Sequence, residues 1–193
     1  MSAETEREAE PEALFAHLAG LAVREGAFKA AVVKTADIET SPSFRALCEQ
    51  NLCGNYGKNW MCPPFAGEID KLIDEVYSYE YALVYQTVGM LEDSYDFEGM
   101  TEAGKRQNEL TSRLGVLLGD EPFSRCLHLG SGGCGVCETC AKREDKPCRH
   151  PDKAVSSLET YGINVSSLAK TAGMKYINGQ NTVTYFGAAL FDL

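Results

Sequence analysis

The chain has 193 residues, of which 44% are apolar and 24% charged, so it can bury one sizeable core and is not expected to stay unfolded. Its net charge of -10 disfavours nucleic acid and anionic membranes as partners, because both would repel an acidic surface. No apolar run approaches the ~20 residues of a membrane span, and the acidic start resembles no export signal. We therefore expect a cytoplasmic protein whose eight cysteines stay reduced, and such dense cysteine usage indicates metal rather than disulfides.

The first part of the chain predicts a leader, a helix, a strand and a second helix. Residues 1–11 are acidic and polar and are expected to form a disordered leader to a single α+β domain over 12–193. Apolar residues at helical spacing predict a helix over Glu12–Glu25, and a β-capable run predicts a strand over Ala27–Lys34. A Ser-Pro-Ser turn at 41–43 then opens a short helix towards the first cysteine.

The middle of the chain predicts alternating helices and strands. A helix is expected over Glu68–Tyr77, where apolar residues share one face, and a strand over Tyr79–Val88. Thr101–Leu118 predicts a helix with Thr101 as its N-cap, followed by a strand over Phe123–Leu129. The latter strand leads directly into a second group of cysteines.

The last part predicts two helices and a hairpin. These are a helix over Pro151–Tyr161, a short helix that begins at Asn164 or Ser166, and a β-hairpin of 174–177 and 182–191 around Asn178-Gly179. Because strands and helices both recur, we expect an α+β fold with a mostly antiparallel sheet flanked by helices and two cysteine-rich cluster-binding loops.

The densest cysteine motif is Cys134-x2-Cys137-x2-Cys140-x7-Cys148. A tight loop with this spacing can reach several corners of one cubane iron-sulfur cluster. A single tetrahedral zinc more often uses paired Cys-x-x-Cys motifs that a longer loop separates. The spacing therefore favours a [4Fe-4S] cluster and leaves zinc as the alternative.

A second cysteine motif lies earlier, at Cys48-x4-Cys53-x8-Cys62, and is followed by Pro63-Pro64. A Cys-Pro ending is common in ferredoxin-type cluster loops, because proline fixes the chain direction and leaves no amide unsatisfied. Tyr56 lies within this motif, and its ring would either shield a cluster or take part in ordinary packing. This motif alone is less specific than the later one.

Taken together, the two motifs are far more specific than either half. The combination Cys-x4-Cys-x2-Tyr-Gly-x2-Trp-x-Cys-Pro-Pro and Gly-x-Cys-x2-Cys-x2-Cys-x7-Cys-Arg-x-Pro resembles the predicted metal-binding proteins grouped as domain of unknown function 2284. The likeness covers roughly Val32 to Phe186. It implies a small bacterial or archaeal iron-sulfur protein typical of anaerobes, with no established reaction. The cysteines that match the family pattern are Cys48, Cys53, Cys62, Cys134, Cys137, Cys140 and Cys148.

The remaining cysteine, Cys126, lies outside that pattern, although eight cysteines would supply two cubanes with four ligands each. In one partition the four late cysteines hold one cluster, and the early three, with Cys126, hold the other. In the alternative, Cys148 crosses to the early group, as in bacterial ferredoxins. If Cys126 is a buried strand residue instead, one iron lacks a thiolate and is open to water or substrate.

Several other residues near the cysteines are candidates for binding or catalysis. Lys58, Trp60 and Arg149, with Tyr56, would surround a substrate at an open iron, while packing and salt bridges are the ordinary alternatives. His128 and His150 flank the second motif, where surface or capping roles compete with those of ligand or proton donor.

Three functions remain open from the sequence. The first is electron transfer or an accessory redox role, with one or two [4Fe-4S] clusters and a redox partner protein. The second is a reductase-type enzyme with an open iron site. The third is a structural zinc-binding interaction module. Iron-sulfur proteins of this size are often homodimers, but the sequence indicates no interface.

Overall fold

The computed structural model describes the backbone of residues 3–193 and the side chains from residue 11 onward. The helices are α1 (Ala3–Arg24), α2 (Phe44–Glu49), α3 (Ile69–Tyr77), α4 (Phe97–Leu117) and α5 (Val165–Thr171). The strands are β1 (Lys29–Lys34), β2 (Tyr81–Met90), β3 (Arg125–Gly130), β4 (Ser156–Ser157) and β5 (Thr182–Asp192). Within the described chain, none of these helices has the length and apolar character to cross a bilayer.

The strands form one five-stranded sheet in the order β1-β2-β5-β3-β4. All neighbouring pairs are antiparallel except β3 and β4, which run parallel. The longest pairing joins β2 to β5, from Tyr81 opposite Phe191 to Met90 opposite Thr182. The predicted α+β class with a mostly antiparallel sheet is confirmed.

The sheet lies between two layers of helices, because alternate residues of its central strands are buried on opposite faces. In β2, Leu83 and Tyr85 pack with residues of α1 and α4. Ala82 and Val84, on the other face, pack with residues of α3 and α5. Each face therefore contributes to its own apolar core.

The cysteine loops meet at the β4 edge of this sheet. One loop, 50–68, connects α2 to α3, and the other, 131–155, connects β3 to β4. The chain just before α2 is fixed to the segment after β4, since the Ser41 amide donates to the Gly162 carbonyl at 2.7 Å. The two loops thus lie side by side, although the strand that precedes the first loop, β1, is at the opposite edge of the sheet.

Most predicted elements occur where the periodicity placed them, including α2, α3, α5 and strands β1 to β3. Asn164 caps α5 by accepting from the Ser167 amide at 3.2 Å, which decides between the two predicted starts. Helix α1 begins at Ala3, nine residues before the predicted Glu12. The disordered leader over 1–11 stays a prediction, and its first two residues lie outside the described part.

The predicted cap of α4 was wrong. The helix begins at Phe97, and the Asp96 carboxylate caps it by accepting from the Gly99 amide at 2.8 Å. Thr101 lies inside the helix, where its hydroxyl donates to the Phe97 carbonyl one turn earlier at 2.8 Å. A threonine in that position bonds to the preceding turn and does not begin a helix.

Two predicted elements near the C-terminus were also wrong. The segment Pro151–Tyr161 forms strand β4 and one turn of 3-10 helix, because the Leu158 amide donates to Gly130 of β3 and extends the sheet. The hairpin around Asn178-Gly179 is absent from the described chain. Its predicted first strand, 174–177, does not form, since the Met174 amide instead donates to the Ala169 carbonyl at 2.7 Å at the end of α5. The predicted second strand forms as β5, which pairs with β2 and β3.

One close approach in the centre of the sheet requires glycine. A methyl group at Gly187 of β5 would overlap the ring of Tyr85, the fully buried residue opposite it in β2. We expect Gly187→Ala to lower the free energy of unfolding by about 1–3 kcal/mol, the usual cost of overpacking. Gly119→Ala is the control, because a methyl group there meets nothing within 4 Å. Equal urea midpoints for the two variants would contradict the prediction.

Candidate metal centre

Seven of the predicted ligands surround two neighbouring pockets at the sheet edge, and all eight cysteines are free thiols. Cys48, Cys53 and Cys62 line one pocket, which we call the three-cysteine pocket. The other, the four-cysteine pocket, is lined by Cys134, Cys137, Cys140 and Cys148. The structure therefore gathers the late cysteines as in the first predicted partition, with Cys148 beside its own loop.

The three-cysteine pocket is a cavity of about 290 Å³ with mostly apolar walls. Helix α2 contributes Cys48, and the following loop contributes Cys53 and Cys62. The other side chains that line it include Phe44, Leu47, Leu52, Tyr56, Pro63 and Glu159. A cavity of this size, bordered by three thiols, has room for a group larger than a single metal ion, whose thiolate ligands lie at only ~2.3 Å.

Tight turns curl the first loop around this pocket. Asn51 adopts a left-handed conformation, with φ of 53°, and its side-chain oxygen accepts from the Tyr56 amide at 3.0 Å. The Gly57 amide donates to the Pro63 carbonyl at 2.9 Å, which closes the loop. These bonds hold the segment between Cys53 and Cys62 as a compact turn, so both thiols reach the same pocket.

The four-cysteine pocket is much smaller, with a cavity of about 20 Å³. Trp60, Arg149 and His150 line it together with the thiols. The Arg149 guanidinium donates to the Thr139 carbonyl at 2.9 Å, which fixes the Cys148 end of the loop against its Cys140 end. This bond brings Cys148 back to its group despite the seven intervening residues in the sequence.

Asn59 joins the two pockets. Its buried side-chain amide donates to the Cys134 carbonyl at 3.3 Å and accepts from the Met61 amide at 3.0 Å. Gly133 makes the approach possible, since a methyl group there would lie 2.8 Å from the Asn55 amide nitrogen. The two loops are therefore in direct contact, although their residues are far apart in the sequence.

The thiols affect one another's protonation. Burial is the main cause that raises the pKa of the Cys62 thiol to about 12, and the ionised thiols of Cys53, Cys48, Cys134 and Cys140 contribute to the same shift. Cys62 thus senses charge from both pockets. A bound metal cation would offset that penalty, because thiolate rather than thiol is the ligand form.

Comparison with known proteins agrees with this donor set. The family of predicted metal-binding proteins (DUF2284) matches residues 31–191. The chain belongs to this family. No curated protein and no solved structure matches it. Metal binding is therefore a property predicted for the family, and thiolates are the ligands that soft metals and iron-sulfur clusters prefer.

The structure describes side chains for residues 11–193 of this DUF2284 chain. Among them, no three Cys, His, Asp or Glu side chains lie close enough together to hold one metal ion. The thiols instead line the two cavities described above. The metal identity is therefore a matter for proposal, argued from the donor set and the pocket dimensions.

Cys126 lies in neither pocket. It is an exposed residue of β3, opposite Phe191 of β5, and lies four residues before Gly130, where the second loop begins. Four residues of strand span about 13 Å. The structure therefore separates Cys126 from the seven cysteines of the family pattern.

The other candidates differ in whether they reach a pocket. Tyr56 lines the three-cysteine pocket and Trp60 the four-cysteine pocket, where the Trp60 indole also donates to the Lys146 carbonyl at 2.9 Å. Lys58 is exposed and lines neither pocket. His128 is partly exposed on β3, its ring lies against Tyr85, and its Nε2 is 2.8 Å from the Tyr85 hydroxyl.

Two site residues were missed from the sequence. Asn59 offered a signal, because a polar residue inside a cysteine motif is a candidate for a buried hydrogen bond. Glu159 offered none, because it lies in a segment predicted to be helical and far from the first motif. Only the contact between that segment and α2 brings it to the three-cysteine pocket.

The Asn59 contact predicts a large effect for a small change. Asn59→Ala leaves the Met61 amide without its partner, and we expect the free energy of unfolding to fall by about 1–3 kcal/mol. We also expect less metal per chain, since the loops lose a contact that aligns them. Asn55→Ala is the packing control, because the Asn55 amide lies against Gly133 of the other loop but its hydrogen bond, at 3.5 Å, is to Cys53 of its own loop. If both variants matched the wild type in calorimetry and metal analysis, Asn59 would have no such role.

His128 predicts a pH dependence of stability. Burial lowers its pKa from 6.5 to about 4, so the unfolded chain binds the proton more readily than the folded one. Stability should therefore fall as the pH drops from about 6.5 to about 4, by up to about 3 kcal/mol from this group. His128→Gln should remove that part of the slope in urea titrations, whereas His17→Gln, on the exposed face of α1, should retain it. The prediction would be contradicted if the free energy of unfolding of His128→Gln and of the wild type changed equally with pH.

Proposed function

We propose that this protein carries a [4Fe-4S] cluster in each cysteine pocket and acts in one-electron transfer. The observation that carries the proposal is the convergence of seven thiols on two adjoining pockets. Four thiolates are the usual ligand set of a cubane cluster, and the four-cysteine pocket supplies that number. The contact between the loops would hold the two clusters close together.

Iron-sulfur ligation fits the three-cysteine pocket better than zinc does. Structural zinc requires four ligands around one point, at about 2.3 Å for thiolate. The three-cysteine pocket instead borders a cavity of about 290 Å³, and its thiols come from a helix and two ends of a loop. Such a cavity suits a multinuclear group whose corners face different thiolates. The zinc-binding interaction module remains the outcome to exclude by experiment.

Close spacing of the pockets favours electron transfer. Ionised thiols of Cys134 and Cys140 contribute to the raised pKa of Cys62, so charge in one pocket is felt in the other. Reduction of one cluster would therefore alter the potential of its neighbour, as hydrogen bonding and burial also do. We place the protein in the reducing cytoplasm, where a redox partner protein would exchange electrons with it, alone or as a homodimer.

A reductase-type enzyme is the second candidate, and one observation favours it. The three-cysteine pocket lacks a fourth cysteine and has apolar walls around a cavity of about 290 Å³. An iron without a thiolate at that position would be open to a small substrate. Tyr56 lines the same cavity and would contact such a substrate.

The decisive experiment is metal and sulfide analysis of anaerobically purified protein with one cysteine changed in each region. We expect about eight irons and eight sulfides per chain in the wild type. Cys140→Ser and Cys62→Ser should each lose the optical and paramagnetic signals of one cluster. Cys126→Ser, which alters an exposed thiol outside both pockets, should retain both. A colourless protein that contains zinc would refute the proposal, and loss of a cluster in Cys126→Ser would refute the ligand sets.

A small iron ligand separates the two redox functions. Cyanide added to the reduced protein should leave both paramagnetic signals unchanged if the clusters only carry electrons. A change confined to the signal that Cys62→Ser abolishes would favour the reductase, because it requires an accessible iron in the three-cysteine pocket.

A further inference from the structure

We infer that Glu159 is the fourth protein ligand in the three-cysteine pocket, its carboxylate taking the place of a cysteine at one iron. The inference rests on the proposed function, because it presupposes a cluster in that pocket. It is carried by the pocket itself, which three thiols and this carboxylate line.

The Glu159 carboxylate is an unusual group for such a site. It is half-buried beside largely apolar walls. All ion pairs described within residues 11–193 join other side chains, so the carboxylate has no basic partner there. A carboxylate without a basic partner is free to bind a cation in the pocket that it lines. A metal ion in the pocket would be that cation.

Helix α2 and the turn that carries Glu159 are fixed to each other. Glu159 begins a turn of 3-10 helix directly after β4, and the turn ends at Gly162. The Gly162 carbonyl accepts from the Ser41 amide at 2.7 Å, just ahead of the helix that carries Cys48. The carboxylate is therefore placed by the same contact that places the first thiol of the pocket.

Two hydroxyl groups of the pocket are already bonded. The hydroxyls of Ser157 and Thr160 lie 3.1 Å apart and bond to each other. The Ser157 hydroxyl also accepts from the Thr160 amide at 3.2 Å. The fourth thiol that the cysteine count offered, Cys126, lies on β3 outside the pocket. Among the residues that line the pocket, Glu159 supplies the one carboxylate.

A carboxylate at one corner would give the two clusters different properties. Oxygen is a harder ligand than thiolate and suits soft metal sites less well, so the iron it binds should exchange more easily. The cluster in the four-cysteine pocket would hold all its irons through thiolates. One labile iron per chain is therefore the expected signature, and it is the position at which an external ligand would enter.

Selective iron removal tests this inference on the full-length, cluster-loaded protein. Ferricyanide accepts one electron as a [4Fe-4S]2+ core becomes [3Fe-4S]+ and releases Fe2+, and the three-iron product has its own paramagnetic signal. Added 57Fe2+, with a reductant to return the electron, then labels only the vacated position for Mössbauer spectroscopy. In the wild type we expect about one labelled iron per chain, with parameters distinct from an all-thiolate site.

Three substitutions of Glu159 give separate expectations. Glu159→Gln should release its iron at a lower ferricyanide concentration than the wild type. Glu159→Cys should lose the three-iron signal. Glu159→Asp should retain part of the wild-type behaviour. Glu49→Gln is the charge control, because Glu49 and Glu159 both act on the Cys48 thiol through their negative charge. Burial is the main cause that raises the pKa of this thiol, Arg45 opposes the shift, and Cys53, Glu159 and Glu49 add to it. Glu49 is exposed and does not line the pocket, so Glu49→Gln should match the wild type.

The outcomes distinguish this inference from the proposed function. An unchanged second cluster in each variant shows that the chain is folded. The inference is overturned if the wild type has no labile iron, if Glu159→Gln and Glu159→Cys behave as the wild type, or if Glu49→Gln has an equal effect. A wild type without iron and sulfide overturns the proposed function as well, whereas two intact clusters insensitive to Glu159 overturn only the inference.

Discussion

The structure depends on holding two cysteine loops against each other at one edge of the sheet. The Asn59 side chain bonds to the Cys134 backbone across 75 residues of sequence, and the Ser156 hydroxyl bonds to the Met61 carbonyl across 95. These bonds are few, and each is buried or partly buried, where an unsatisfied partner is costly. The parallel pairing of β3 with β4 supplies the fixed base on which the second loop rests.

Ionising the thiols that are gathered in this way costs free energy unless metal is bound. Buried thiols close to one another resist ionisation, as the raised pKa of Cys62 shows. Metal binding requires that ionisation and provides the compensating charge, so folding of the loops and metal uptake are thermodynamically linked. The helices and the central strands need no such compensation, because their stability comes from two apolar cores on opposite faces of the sheet.

The two pockets differ in ways that bear on function. One combines four thiols with a small cavity and a short segment of chain, whereas the other combines three thiols with a wide apolar cavity. The first arrangement suits a fully ligated centre that only changes its oxidation state. The second leaves room for chemistry at a metal, and its walls come from α2, both loops, β4 and the segment after β4. A single small domain thus presents two chemically distinct thiol sites.

By itself, the sequence determined the fold class, most helices and strands, and the seven cysteines of the two motifs, because periodicity and ligand spacing are local properties. It could not determine the short β4 strand, since that pairing is stabilised by Gly130 of a distant strand rather than by local propensity. Nor could it separate Cys126 from the pockets or bring Glu159 to them. Those placements depend on which strands pair and which segments touch, and only the tertiary structure decides long-range contacts of that kind.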